Sequence, residues 1–283
     1  MATVHERMRE DLTLKNYADG TVEKYLGCAR VFLAQLRTPP SKVKPQQVRR
    51  YALKLAKDKS PATVKIHIAA IRFLYIVTLR QPAVVETLYF PKVPRRLPDI
   101  LSADEVDRLL GAIKEMKYRA IMMTVYATGM RISEACHLLT TDIDSGRGVI
   151  HIRQGKRRRD RYVMLSPVLL GALREYWKAY RPEEPILFAG KEPGSFVSAD
   201  TVRGALERAL QKTGITKRVT PHSLRHAFAT HLLEDGADIR VIQVLLGHGS
   251  IRSTACYTQV SARHVAATKS PLDRLPQGGA QHR

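Results

Sequence analysis

With 283 residues, 44% of them hydrophobic and 26% charged, the chain has the length for one large or two ordinary domains and the composition of a soluble globular protein. No apolar run approaches a membrane span, the opening MATVHERMREDLTLKNYADG is too charged for a secretory signal, and Cys28, Cys136 and Cys256 are too scattered for a disulfide framework or a zinc module. These features lead us to expect a reduced, cytoplasmic protein. The net charge of +21 calls for a polyanion, nucleic acid above all, and both halves carry it: 19 Lys/Arg against 7 Asp/Glu up to Pro98, and 28 against 19 after it.

The front half reads as all helix. TVEKYLGCARVFLAQL (21–36) places Val22, Tyr25, Leu26, Val31, Phe32 and Leu36 near one face. A second helix is expected over 44–58. A third covers 60–79, with Ser60 as N-cap and Pro61 at the first helical position. Arg49, Arg50, Lys54, Lys65 and Arg72 fall on polar faces, where they can contact a DNA backbone or decorate a solvated surface. PKVPRRLPDILS (91–102) carries three prolines, none suited to a helix interior, and reads as a linker. Two domains are therefore expected, 1–98 and 99–283.

The back half is mixed. Ser102 and Glu105 form a capping-box pattern at a helix over 102–116. Further helices fit 118–128, 132–139, 167–180, 199–213, 222–234, 238–246 and 250–257. GVIHIRQ (148–154) and RYVML (161–165) alternate like strands around the basic turn GKRRRD, and PILFAG (185–190) reads as a third short strand. The chain after Pro271 reads as a loose tail.

Four places could carry chemistry. In YATGMRISEACHLL (126–139) one helix stops at Gly129 and another begins at once, which leaves Arg131 at the break and Glu134 three residues on. The local pattern equally describes a surface arginine and an ordinary first-turn acid. In GKRRRD (155–160) Lys156 sits at the tip of a hairpin and can reach into a groove. Arg157, Arg158, Arg159 and Arg161 beside it suit phosphate contacts. In TPHSLRHAFATHLL (220–233) His222 and Arg225 share the face of a helix start, a natural phosphate site. His222 and His226 also have the spacing of a zinc pair, but without the glutamate of that motif or a nearby acidic ligand. His226 and His231 alone would read as satisfied histidines. In LLGHGSIRSTACYTQV (245–260) His248 lies between glycines and Tyr257 follows nine residues later.

Taken in order, Arg131, Lys156, His222, Arg225, His248 and Tyr257 resemble the pattern of the tyrosine recombinase (phage integrase) family. The H-x-x-R, L-G-H and tyrosine series is the most specific part. The likeness covers about 100–265. The front half resembles the family's helical core-binding (SAM-like) domain more weakly. The chain looks most like Xer-type and integron-type integrases, although YWKAYRPEEP leads straight to PILFAG without the integron-specific insertion. The hairpin also departs from the frequent G-K-G-x-K pattern, because Arg157 replaces the second glycine.

The resemblance implies a mainly α fold with a small β-sheet, a helical domain beside an α+β catalytic domain, closed around DNA as a clamp. It implies that Tyr257 attacks a phosphodiester to give a 3′-phosphotyrosyl link. Arg131, Arg225 and His248 would stabilise the transition state, His222 would take the phenol proton, and Lys156 would protonate the leaving oxygen, with Glu134 orienting Arg131. No metal and no ATP are implied. The implied partners are double-stranded recombination sites and three further copies of the chain, with the tail (261–276) docked on a neighbour and DNA-bending proteins as accessories, in a prokaryotic cytoplasm on the nucleoid. The rivals are a DNA-binding protein without catalysis, a type IB topoisomerase and a metal-dependent nuclease.

Overall fold

The computed structural model describes residues 3–36, 38–94, 99–153 and 160–247. The chain divides into two compact units, Met1–Arg95 and Arg96–Arg283. The first is wholly helical: α1 (Val4–Leu14), α2 (Asp19–Ala34), α3 (Pro45–Asp58) and α4 (Pro61–Phe73), with α4 running on into a single π turn, Leu74–Thr78.

The start of α4 has a local cause. Ser60 Oγ accepts the Thr63 N–H at 3.3 Å, and Pro61 fills the first turn, where its missing N–H costs nothing. The core gathers on α2 and α4: Leu26, Ala29, Phe32, Ile68, Ile71, Leu74 and Tyr75 are buried. The Phe32 ring meets Tyr51 edge-on at 5.0 Å, and the Tyr51 hydroxyl pairs with His67 Nδ1 at 2.9 Å. Burial pushes the Tyr51 and Tyr75 phenols up to about 12.

Helix α1 was not foreseen. Met8 and Leu12 are buried one helical turn apart, and Arg7 donates to the Thr78 carbonyl at 2.8 Å, which fastens α1 to the π turn. Pro61–Thr78 is, against expectation, long and apolar enough by composition to cross a membrane. Its Val64, Ile68, Ile71, Leu74 and Tyr75 form one wall of this core, the usual position of such a helix in a packed domain.

The second unit contains α5 (Ala103–Ala112), α6 (Met116–Thr128), α7 (Ile132–Cys136), α8 (Pro167–Tyr180), α9 (Ala199–Leu210), α10 (Pro221–Glu234) and α11 (Ile239–Leu246). At α5 the capping box is made in both directions: Ser102 N–H to Glu105 Oε2 at 2.8 Å, and Glu105 N–H to Ser102 Oγ at 3.2 Å. Three short strands pair antiparallel in the order β1 (Ile143–Asp144), β2 (Val149–Ile152), β3 (Arg161–Met164). Ile152 is paired with Arg161, which places Arg161 at the last rung before the turn. Mostly helical with one small sheet is the fold class the resemblance implied.

The third strand is a correction. PILFAG makes only isolated bridges, Leu139 to Ile186 and Ala189 to Phe196, while the sheet is completed by Ile143–Asp144. Leu187 and Phe188 are buried as an irregular filler of the core rather than as a ladder strand. The main core lies around α6, with Leu109, Ile121, Met122, Val125, Met130, Ile150 and Leu224 buried. A smaller cluster, Phe228, Ala229, Leu233, Ile242 and Leu246, joins α10 to α11.

Candidate active site

The site begins where α6 ends. Gly129 adopts φ +65°, the left-handed conformation that stops a helix, and its N–H bonds to the Val125 carbonyl at 3.0 Å. A Cβ here would overlap the Phe228 ring and come 2.9 Å from Leu246 Cδ2. Glycine is thus required for both conformation and space. Gly129→Ala is expected to cost roughly 1–3 kcal/mol of overpacking and a further ~1 kcal/mol for a left-handed alanine. An unchanged urea midpoint would contradict this.

Arg131 follows as the N-cap of α7. An arginine cannot accept the first-turn N–H groups as serine would, so only one arm of the capping box forms: the Arg131 N–H donates to Glu134 Oε2 at 2.8 Å. The Arg131 guanidinium bends over the same carboxylate, Nη1 to Oε1 at 2.7 Å. From β3, Arg161 takes the other side of Glu134 with a two-toothed grip, Nη2 to Oε2 at 2.7 Å and Nη1 to Oε1 at 3.1 Å. Burial pushes the Glu134 carboxyl up. The Arg161 hydrogen bonds and charge, joined by the Arg131 N–H and charge, outweigh that and hold its pKa at about 2. Glu134 is therefore an anion at any working pH.

Arg225 enters from α10 and is only 4% exposed. Nη1 donates to the Gly129 carbonyl and Nη2 to the Leu246 carbonyl, both at 2.6 Å. These carbonyls close α6 and α11, whose last carbonyls lack partners within their own helices and carry the negative end of the helix dipole. A buried cation is thus held by two helix ends. One turn before Arg225, His222 lies exposed on α10. Partial desolvation of its ring, and after that the cations of Arg225, Arg131 and Arg203, lower its pKa, so it is neutral near pH 7. Arg203 projects from α9, pairs with Asp200, and was missed from sequence.

The rings of His222 and His226 lie 6.0 Å apart, and among the described residues no three His, Cys, Asp or Glu side chains form a metal-sized cluster. Burial, followed by His222 and Arg225, lowers the His226 pKa. His231 is the satisfied core histidine: Nδ1 pairs with the Tyr126 hydroxyl at 2.9 Å and Nε2 with the Leu101 carbonyl at 3.0 Å. The carbonyl can only accept, so Nε2 carries the proton and Tyr126 donates to Nδ1.

One expected DNA contact, Arg161, needs correction, and a second, Arg72, is partly engaged inside the protein. The Arg161 side chain is 7% exposed and committed to Glu134 and, through Nε, to the Leu245 carbonyl at 2.8 Å. Arg72 is half-buried, with Nη1 donating to the Val85 and Leu88 carbonyls at 2.9 and 3.2 Å and its guanidinium over Phe90. All three nitrogens of the Arg161 guanidinium are engaged inside the protein, whereas Arg72 is so engaged through Nη1. Arg49, Arg50, Lys54 and Lys65 are exposed. Arg50 and Lys54 line a groove of about 340 Å³ with Gln35, Gln47 and Tyr51. Lys156, Arg157, Arg158, Arg159, His248 and Tyr257 lie outside the described residues, as do the helix expected over 250–257 and the tail.

Residues 99–264 match the profile described as Phage integrase family, and residues 5–83 match the phage integrase N-terminal SAM-like domain. The integrase/recombinase y4qK of Sinorhizobium fredii is 45% identical over 98% of this chain and 91% of its own length. Tyrosine recombinase XerA of Pyrococcus furiosus is 34% identical over 93% and 91%. In fold, the chain is similar to XerH site-specific recombinase bound to palindromic difH substrate in a post-cleavage complex. The TM-score is 0.71 at 21% identity, with 94% of this chain and 83% of that one covered. Two arginines locked on one acid, a third arginine between two helix ends and a neutral histidine beside them therefore sit in a chain that belongs to the phage integrase family, the tyrosine-type site-specific DNA recombinases.

Proposed function

We propose that the protein exchanges DNA strands between two duplex sites through a 3′-phosphotyrosyl intermediate, as a tetramer. One observation carries this reading: Arg225 on α10 donates to the Gly129 carbonyl at 2.6 Å, two residues before Arg131, and His222 lies one turn before Arg225 on the same helix, so three donors from two separate stretches meet in one place. Two planar cations and a neutral imidazole converge where a phosphodiester would be attacked.

In the step proposed, the Tyr257 oxygen forms a bond to the scissile phosphorus while the bond to the 5′-oxygen breaks. The phenol proton, ordinarily lost near pH 10, passes to His222, and the leaving oxygen takes a proton from Lys156. Arg131, Arg225 and His248 donate to the non-bridging oxygens. Attack by the 5′-hydroxyl of the other duplex reverses the chemistry, returns the tyrosine and joins the strands. The phosphoester bond is conserved throughout, so no ATP enters, and the positive donors around the phosphate serve in place of a metal. Arg49, Arg50, Lys54 and Lys65, with Arg157, Arg158 and Arg159, hold the backbone. The tail docks on a neighbouring protomer, DNA-bending proteins assist, and the setting is the cytoplasm, on the nucleoid.

A supercoiled plasmid with two copies of a cleaved site tests this. Recombinant junctions are expected, and relaxation without junctions would favour topoisomerase chemistry instead. Because the active form of His222 is neutral and its pKa is lowered, the single-turnover cleavage rate should hold as pH falls through about 6.5, an ordinary histidine's value, and drop only below it. That acid limb should vanish in His222→Gln, whose rate is lower but flat. A wild-type rate already halved at the ordinary value would contradict the assignment.

A further inference from the structure

We propose that Arg161 is a positioning residue for strand cleavage, locking together the segments that carry Arg131, His248 and Lys156. This rests on the cleavage reading above. Arg161 spends both terminal nitrogens on Glu134, the acid that also holds the Arg131 guanidinium and backbone N–H. Its Nε reaches the Leu245 carbonyl in the last turn of α11 at 2.8 Å. Gly247, which ends that helix at φ +61°, packs against the same guanidinium: a Cβ there would stand 3.1 Å from Nη1. His248 is the next residue in the chain. Arg161 is also the last rung of the β2–β3 ladder, opposite Ile152, and Lys156 lies in the sequence between these two strands.

One buried planar cation thus fixes the direction of Arg131, the end of α11 that precedes His248, and the ends of the two strands between which Lys156 falls in the sequence. Only a guanidinium fits this role. A lysine supplies the charge but cannot grip both oxygens of Glu134 and the Leu245 carbonyl together. Because Nε, Nη1 and Nη2 are all engaged inside the protein, the residue contributes no phosphate contact.

The test compares wild type, Arg161→Lys and Arg161→Gln on a nicked duplex site, measuring single-turnover cleavage at saturating protein, site affinity against salt, and the folded fraction by circular dichroism. Arg161→Lys should remain folded, keep its affinity within about twofold and its salt slope unchanged, and cleave ~10–100-fold more slowly. Combining it with Arg131→Lys should cost less than the product of the single losses, since both act through Glu134. A salt slope reduced by about one, with weaker binding, would mean that Arg161 meets phosphate and would overturn the proposal. So would a cleavage rate that falls no further than the folded fraction of either variant. If wild type cleaves no site, the cleavage reading is at fault, and the salt slope still decides whether Arg161 faces DNA.

Discussion

Arg225→Lys is expected to lower strand cleavage by ~10²–10³-fold, the usual loss when one donor to a charged transition state is removed, and to lower stability as well. The reason is the dual use of the side chain. Arg225 donates to Gly129 at the end of α6 and to Leu246 at the end of α11, both at 2.6 Å, in a site only 4% exposed. A lysine ammonium carries its three donors on one nitrogen, so it does not span the two carbonyls that Nη1 and Nη2 meet separately. One buried carbonyl loses its donor, at a cost of about 1–3 kcal/mol. The variant should therefore melt at lower temperature and also cleave slowly where it remains folded. A variant that melts early but cleaves at the wild-type rate would show that Arg225 holds helices without touching the reaction.

Glu134→Gln should be comparably severe, by a different route. Both carboxylate oxygens are fully used, Oε1 by the two guanidinium groups and Oε2 by the Arg131 N–H and Arg161 Nη2. A glutamine keeps one acceptor and turns an NH₂ toward donors. It also leaves two cations, with side chains 21% and 7% exposed, without a counter-charge. Breaking a buried ion triad in this way costs about 3–5 kcal/mol. The pH dependence identifies the mechanism. The folded-state pKa of about 2 lies below the ordinary 4.5, so the carboxylate contributes stability that is fully present above pH 4.5. That contribution, about 3 kcal/mol from the shift, is lost as pH falls toward 2. Urea midpoints of wild type and Glu134→Gln should differ by a constant amount above pH 5 and converge below it. A difference that does not change with pH would mean the loss is one of packing.

The contrast between Arg225 and Arg161 shows what sequence could and could not reveal. Arg225 was legible because it sits three residues from His222 on one helix face, a spacing that carries chemical meaning by itself. Arg161 reads as one more cation after a basic run. Its role depends on Glu134, 27 residues away, and Leu245, 84 residues away, and no local pattern encodes such partners. The helix starts at Ser60 and Ser102 were legible because caps act within four residues. The first helix had the same signal, Thr3 accepting from Glu6 with Glu6 returning to the Thr3 N–H. Its charge hid the Met8 and Leu12 stripe from a reading directed at signal sequences. The third strand misled because PILFAG is apolar enough for a strand yet serves as core filler. Ile143–Asp144 is too short for any alternation to show.

The central claim is that Tyr257 becomes joined to DNA, and a suicide trap measures that directly. The protein is mixed in EDTA with nicked duplexes of candidate sites and run on denaturing gels beside Tyr257→Phe. The account predicts an EDTA-resistant covalent adduct for wild type and none for the phenylalanine variant, which should still bind the site. Tight binding with no adduct on any site would make the chain a binder without catalysis, and an adduct that persists in Tyr257→Phe would mean another residue is the nucleophile.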